Sequence, residues 1–187
     1  TGPGTKAQFG MNGPIRGTLF EDEARRNNAV INPNEFCQLA IEGEMAVKVG
    51  KDGQIEAAFP VIELHNFIFR AEQKTLSELI ANNGINAGII LPEMNYQNST
   101  KYLCNNAQLT LFINGLDIGT TGLWPDGDGP EASVNWLKDN LEDCCIELEP
   151  GSIVLAGTAL KSDMIPEFIT FDAVSHPNIP AMFYANP

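Results

Sequence analysis

The segment from Gln38 to Val49 reads QLAIEGEMAVKV, and its alternation of apolar and polar residues decides how the rest of the chain is interpreted. One face of a strand with this sequence would carry Leu39, Ile41, Met45, Val47 and Val49. The other face would carry Gln38, Ala40, Glu42, Glu44, Ala46 and Lys48. The segment therefore predicts a β-strand with two carboxylates on one face, roughly 7 Å apart.

Glu42 and Glu44 have two interpretations on this pattern alone. Like charges at that separation repel unless water or a cation lies between them, and a hard divalent ion such as Mg²⁺ takes oxygen ligands. The pair could therefore form part of a metal site. By itself, however, Glu-x-Glu is more typical of the solvated face of a half-buried strand.

Glu63 lies within a second apolar segment, residues 57–69. A buried carboxylate costs several kcal/mol unless it is paired or bound to a cation, and the nearest basic residues are Arg70 and Lys74. Glu63 could share one metal ion with the two earlier carboxylates, or it could lie on an exposed face. His65 would share its face and could act as a general base or orient a ligand, although a single histidine is more often structural.

Composition and charge favour one globular domain, residues 1–187, with 43% hydrophobic and 19% charged residues. The 11 Lys and Arg stand against 24 Asp and Glu, which gives a net charge of −13. This charge argues against nucleic acid and against an anionic membrane as partners. The net negative charge would also repel an anionic substrate, unless a local cation makes the electrostatic potential at the site positive.

The four cysteines form no Cys-x-x-Cys motif, which argues against a zinc or redox site. Scattered cysteines and the lack of a visible signal peptide fit a reducing, cytoplasmic compartment. Neither a glycine-rich nucleotide loop nor a serine hydrolase elbow matches the sequence.

The remaining patterns predict a mixed, strand-dominated α+β domain. Strands are predicted over 15–20, 87–91, 153–157, 167–173 and 181–185, helices over 75–83 and 131–141, and a hairpin over 108–122 that turns at Asn114-Gly115. Thr121 and Thr158 lie in small polar loops whose hydroxyl and backbone N–H groups could hold a carboxylate.

Taken in order, several short motifs resemble the 2-keto-4-pentenoate hydratase family of the fumarylacetoacetate hydrolase superfamily. They are Thr1, Pro3, Gln8-Phe9-Gly10, Glu42-Gly43-Glu44, Glu63, Ala81-Asn82-Asn83, Asn114-Gly115, Gly129-Pro130, Ala132, Trp136-Leu137 and the run Gly151-Ser152-Ile153-Val154-Leu155-Ala156-Gly157. Each motif is short, but the ordered set extends over nearly the whole chain. The match begins after the N-terminal helical segment of the family, which supplies a lysine in a Gly-x-Lys-x-Gly context.

The resemblance implies a mixed β-roll fold of the fumarylacetoacetate hydrolase type and a Mg²⁺ or Mn²⁺ ion held by Glu42, Glu44 and Glu63. It implies a hydratase that adds water to a short unsaturated 2-keto acid of the 2-hydroxypenta-2,4-dienoate type, in the degradation of aromatic compounds. The metal would act as a Lewis acid on this small anionic substrate. Folds of this superfamily usually associate, so a homo-oligomer is expected.

Further residues are candidates for substrate binding and proton transfer. Asn83, Thr121 and Thr158 could hold the substrate carboxylate or the attacking water, and Lys74 and His65 could act as general acid or base. Two alternatives stay open: decarboxylation of a 2-keto dioic acid or hydrolytic C–C cleavage with the same metal, and a degenerate homologue that only binds metal or a small acid.

Overall fold

The computed structural model describes residues 3–95, 97–103, 107–113, 115–124, 129–162, 169–174 and 181–186, with side chains described between 6 and 156. The strands are β1 Ala24–Arg25, β2 Val30–Ile31, β3 Leu39–Val49, β4 Ile55–Asn66, β5 Asn86–Ile90, β6 Gln108–Ile113, β7 Leu116–Gly122, β8 Ile153–Ser162, β9 Ile169–Val174 and β10 Ala181–Asn186. The α-helices are α1 Pro3–Phe9, α2 Leu76–Ala81 and α3 Gly129–Glu142. Strands outnumber helices among these residues, as the sequence predicts.

The described strands form two five-stranded sheets, in the orders β1-β5-β4-β3-β8 and β2-β9-β10-β6-β7. Most neighbouring strands are antiparallel, whereas β1 is parallel to β5 and β10 is parallel to β6. This mixed arrangement with few helices confirms the expected α+β fold class.

The hairpin of β3 and β4 lies at the centre of the first sheet. Its register pairs Glu42 with Glu63 and Ala40 with His65. The connecting turn is closed by a hydrogen bond from the Gly50 amide to the Gln54 carbonyl, at 2.7 Å. This register places the carboxylates of two separate sequence segments next to each other, which the strand patterns alone could not specify.

The face of β3 that carries its larger apolar residues packs on the second sheet. Ile41, Met45 and Val47 lie in one core cluster with Leu109 and Leu111 of β6. A Cβ atom at Gly43 would lie 3.7 Å from Leu111 Cδ1, so this glycine sits on the same packed face. Because side chains alternate along a strand, Glu42 and Glu44 lie on the opposite face of the sheet.

The opposite face of β3 and β4 is also covered, since Ala46, Phe59 and Val61 are fully buried and form a second cluster. Both faces of the central hairpin are therefore removed from water. Glu42 and Glu44, which lie on this face in the middle of β3, are therefore buried.

Several predicted elements are confirmed with shifted ends. The hairpin over 108–122 forms, although Asn114 of its turn lies outside the described residues. Helix α2 begins after Thr75, whose hydroxyl accepts a hydrogen bond from the Glu78 amide at 3.2 Å. None of the helices in the described part of the chain is long and apolar enough to cross a membrane.

The N-terminal region differs from its prediction. Residues 15–20 form no strand: the Thr18 backbone is hydrogen-bonded to the Asn83 side chain, and Ile15 packs against an apolar cluster. Helix α1 and the two-residue strands β1 and β2 have no clear sequence signal, since such short elements depend on tertiary contacts.

Gly88 provides a test of how the first sheet is held to the N-terminal region. Its φ is +118°, and a Cβ atom there would overlap the carbonyl oxygen of Glu23, which precedes β1. We expect Gly88→Ala to lower the free energy of unfolding by about 2–4 kcal/mol through backbone strain and overpacking. Gly13→Ala is the matched control, because Gly13 has open space around its Cβ position. Equal midpoints of chemical denaturation for the two variants would contradict this account.

Candidate metal centre

The acidic side chains of the central hairpin are buried. Glu42 is 4% exposed and Glu44 is 3% exposed, so the solvated-face interpretation of Glu-x-Glu is wrong. Glu63 on β4 is nearly as enclosed, with 12% of its side chain exposed. Carboxylates in such surroundings need compensating protons, hydrogen bonds or a cation.

His65 lies between two of these carboxylates. Its Nδ1 is 3.5 Å from Glu42 Oε1, and its Nε2 is 3.3 Å from Glu63 Oε2. One donor atom each from Glu42, Glu63 and His65 lie within 4.8 Å of one another. These residues come from adjacent, register-paired strands, so the spacing is set by the rigid part of the sheet.

Glu63 has the most extensive described set of partners. Burial raises the pKa of Glu63, but the hydrogen bond and charge of His65, followed by hydrogen bonds with Glu44 and Asn86, lower it to about 2. The Asn86 side-chain amide donates to Glu63 Oε1 at 2.6 Å. Glu63 is therefore a carboxylate at neutral pH, which is the form that binds metal ions.

Glu44 lies one pleat along β3 from Glu42, opposite Val61 on β4 and Thr158 on β8. Its carboxyl group also interacts with that of Glu63, and this interaction lowers the pKa of Glu63. The structure thus brings Glu42, Glu44, Glu63 and His65 together, and Glu63 is the residue in contact with both Glu44 and His65.

These side chains line a cavity of about 780 Å³ between the first sheet, the N-terminal segment and α3. The volume falls within the usual range for small-molecule sites. Its acidic wall is complemented by apolar side chains, including Phe67, Trp136, Leu137 and Leu141. The cavity could accommodate a small organic acid with an apolar chain.

Asn83 lines the cavity, but its side chain is engaged by the protein backbone. Its Oδ1 accepts from the Thr18 amide at 2.7 Å, and its Nδ2 donates to the Thr18 carbonyl at 2.8 Å. Asn83 therefore holds the segment around Thr18 in place, a role that its sequence context did not indicate.

Lys74 and Thr121 are not among the residues that line the cavity. The ammonium group of Lys74 is 4.7 Å from the ring centroid of Phe67 and 5.4 Å from that of Phe69, both of which line the cavity. Thr121 lies within β7 of the second sheet, not in the predicted loop. Thr158 pairs with Glu44 through the backbone, and its side chain lies outside the described part.

Asn86 and Arg16 line the cavity and were missed by sequence reasoning. Asn86 orients Glu63, and its own Oδ1 accepts from the Gly88 amide at 3.0 Å. Its position opposite His65 in the β4–β5 register is the feature that could have indicated it. Arg16 is in a loop whose placement depends on Asn83, and no sequence pattern signals this.

Comparison with solved structures identifies the fold. The chain is similar to 4-oxalocrotonate decarboxylase from Pseudomonas putida G7 complexed with magnesium and adipate, with a TM-score of 0.79 and 16% identity over 100% of this chain and 75% of that one. A second structure of that enzyme, complexed with calcium and acetate, gives a TM-score of 0.74 at 16% identity, with coverage of 100% and 74%. No family model and no curated protein matches the sequence.

The chain therefore shares the fold of this decarboxylase, which agrees with the fold that the sequence resemblance implies. At 16% identity the similarity shows the fold and does not assign the reaction.

Asn83→Ala tests the structural role of this side chain. The variant loses two hydrogen bonds to Thr18, so we expect unfolding to become about 1–2 kcal/mol easier. Amide hydrogen exchange at Thr18 should accelerate. Asn98→Ala, which removes an exposed amide bonded to Lys48, serves as the control. Unchanged protection of the Thr18 amide would contradict the assigned contact.

Proposed function

We propose that this chain is a metal-dependent lyase acting on a short 2-keto acid, with Glu42, Glu44 and Glu63 as the metal ligands. The observation that carries the proposal is the convergence of buried carboxylates on the wall of the cavity, with donor atoms of Glu42, Glu63 and His65 within 4.8 Å. Perturbed, enclosed acidic groups in a cleft of this size are typical of functional sites.

The chemistry of the donors favours Mg²⁺ or Mn²⁺. Carboxylate oxygens are the ligands these ions prefer, and Mg²⁺ commonly uses few protein groups. The described partners of Glu63 include His65, Glu44 and Asn86 but neither Lys nor Arg, so a cation would fit its charge requirement. Imidazole binds Mn²⁺ more readily than Mg²⁺, so direct ligation by His65 would favour Mn²⁺.

A bound divalent ion would supply Lewis acidity towards the keto oxygen and carboxylate of the substrate. It would also provide a positive centre for an anionic substrate in a chain of net charge −13. The protein itself fixes the carboxylates on paired strands and lines the cavity with apolar side chains as well.

In this proposal, His65 is the residue that transfers protons during the reaction. Both ring nitrogens contact carboxylates, which fixes the ring and would stabilise its protonated form. His65 would then hold a proton beside the reacting centre. Lys74 is a weaker candidate because its ammonium group packs on the rings of Phe67 and Phe69 and is not among the groups that line the cavity.

Hydration of an unsaturated 2-keto acid is the reaction implied by the ordered sequence motifs. Decarboxylation of a 2-keto dioic acid is the second candidate, since both structural neighbours reported above are 4-oxalocrotonate decarboxylases, one of them complexed with the dicarboxylate adipate. The same metal and cavity would serve both reactions. A cytoplasmic homo-oligomer stays a prediction from the sequence.

Metal titration tests the ligand set. We expect Mg²⁺ or Mn²⁺ to bind the wild type, and Glu44→Gln and Glu63→Gln each to weaken binding by at least about tenfold, because an anionic oxygen ligand is lost. Glu93→Gln is the control, since Glu93 is exposed and does not line the cavity. Isothermal titration calorimetry measures all four proteins, and wild-type protein that binds neither ion would refute the proposal.

A product assay separates the two reactions. With 2-hydroxypenta-2,4-dienoate, hydration predicts metal-dependent loss of the dienol absorbance without CO₂. With an unsaturated 2-keto dioic acid, decarboxylation predicts CO₂ release. Whichever reaction the protein catalyses should be abolished by chelation of the metal with EDTA and restored by added Mg²⁺. If neither substrate turns over with metal present, the lyase assignment fails, and metal binding alone would support a degenerate homologue.

A further inference from the structure

Arg16 is the one Lys or Arg among the described residues that line the cavity. Glu42, Glu44 and Glu63 line the same cavity. A cation in an acidic cavity would ordinarily pair with one of the carboxylates. The ion pairs formed among the described residues do not include Arg16.

The one described side-chain contact of Arg16 is with a thiol. Its Nη1 lies 3.7 Å from Cys144 Sγ, beyond the C-terminal end of α3. A thiol is a weak acceptor, and a guanidinium carries five N–H donors in a planar fork suited to a carboxylate. Arg16 can therefore bind an anionic group without breaking an ion pair that the described structure contains.

The backbone around Arg16 is fixed on both sides. Ile15 packs against the cluster of Met11, Leu79 and Ile85. On the other side, Thr18 makes two hydrogen bonds with Asn83. A binding group on a segment held in this way loses little conformational freedom when a ligand binds.

Gly17 allows this segment to approach Asn83. A Cβ atom at Gly17 would lie 3.0 Å from the Asn83 carbonyl oxygen and 3.3 Å from its Oδ1. Such contacts are tighter than ordinary van der Waals distances, so any larger residue would move the segment. The position of Arg16 at the cavity thus depends on the glycine that follows it and on Asn83.

We propose that Arg16 binds a second anionic group of the substrate, remote from the end that chelates the metal. The ligand class selected by this site is then a 2-keto dioic acid, in preference to a 2-keto monocarboxylic acid. This inference rests on the proposed metal-dependent function of the same cavity. Apolar wall residues such as Trp136 and Leu141 would contact the hydrocarbon chain that joins the two ends.

The test compares 2-oxoadipate with 2-oxohexanoate, which share chain length and differ in the terminal carboxylate. Calorimetric titration of the Mg²⁺-loaded wild type should give a Kd for 2-oxoadipate at least about tenfold lower, as expected for one charge-assisted pair. Arg16→Met should bring the two Kd values to within about twofold, with the Kd for 2-oxohexanoate unchanged. Arg16→Lys should retain part of the preference, because it keeps the charge but not the planar fork.

Arg70→Met is the control, since it removes the same charge from an exposed side chain that does not line the cavity. It should keep the wild-type preference, and thermal unfolding should show that all variants are folded. If 2-oxohexanoate binds with Mg²⁺ and Arg16→Met keeps the wild-type preference, the role of Arg16 is refuted while the proposed function stands. If neither acid binds to the Mg²⁺-loaded wild type, the proposed function is refuted and this inference with it.

Discussion

The burial of several carboxylates on one face of a two-stranded hairpin is the constraint on which the rest of this structure depends. Glu42 and Glu44 on β3 and Glu63 on β4 are shielded from water while the opposite face of β3 packs on the second sheet. Buried like charges destabilise a fold unless hydrogen bonds or cations offset them. His65 and Asn86 supply part of that compensation for Glu63. An ion bound among the carboxylates would complete this charge compensation. The ion required by the proposed function would therefore also stabilise the sheet.

The carboxylates are positioned by the pairing register of β3 and β4, and not by loops. The pairing of Glu42 with Glu63 is part of a continuous ladder of the β3–β4 hairpin, and a shift of one residue would move the acidic side chains to the packed face. The N-terminal segment and α3 then close the cavity above the sheet. The acidic residues are therefore held by the paired strands, whereas the N-terminal segment that carries Arg16 depends on a few contacts such as those of Asn83 with Thr18. Ligand preference can change in that segment without disturbing the acidic residues.

Alternation along residues 38–49 predicted the strand, its packed face and the shared face of the carboxylates, because strand periodicity is a local property. The convergence of Glu63 on the same point was only one of two open interpretations, since pairing register is not written in either segment alone. The contact of Asn83 with Thr18 was not predicted for the same reason, because the two residues are 65 positions apart. Arg16 and Asn86 were missed because their importance comes entirely from what the fold places beside them.

The electrostatics of the cavity bear on the charge of the substrate that it can bind. Three carboxylates around a divalent ion leave one net negative charge, which opposes a dianionic substrate. Arg16 would offset that charge in the proposed complex, so a preference for dianions would require both the ion and Arg16.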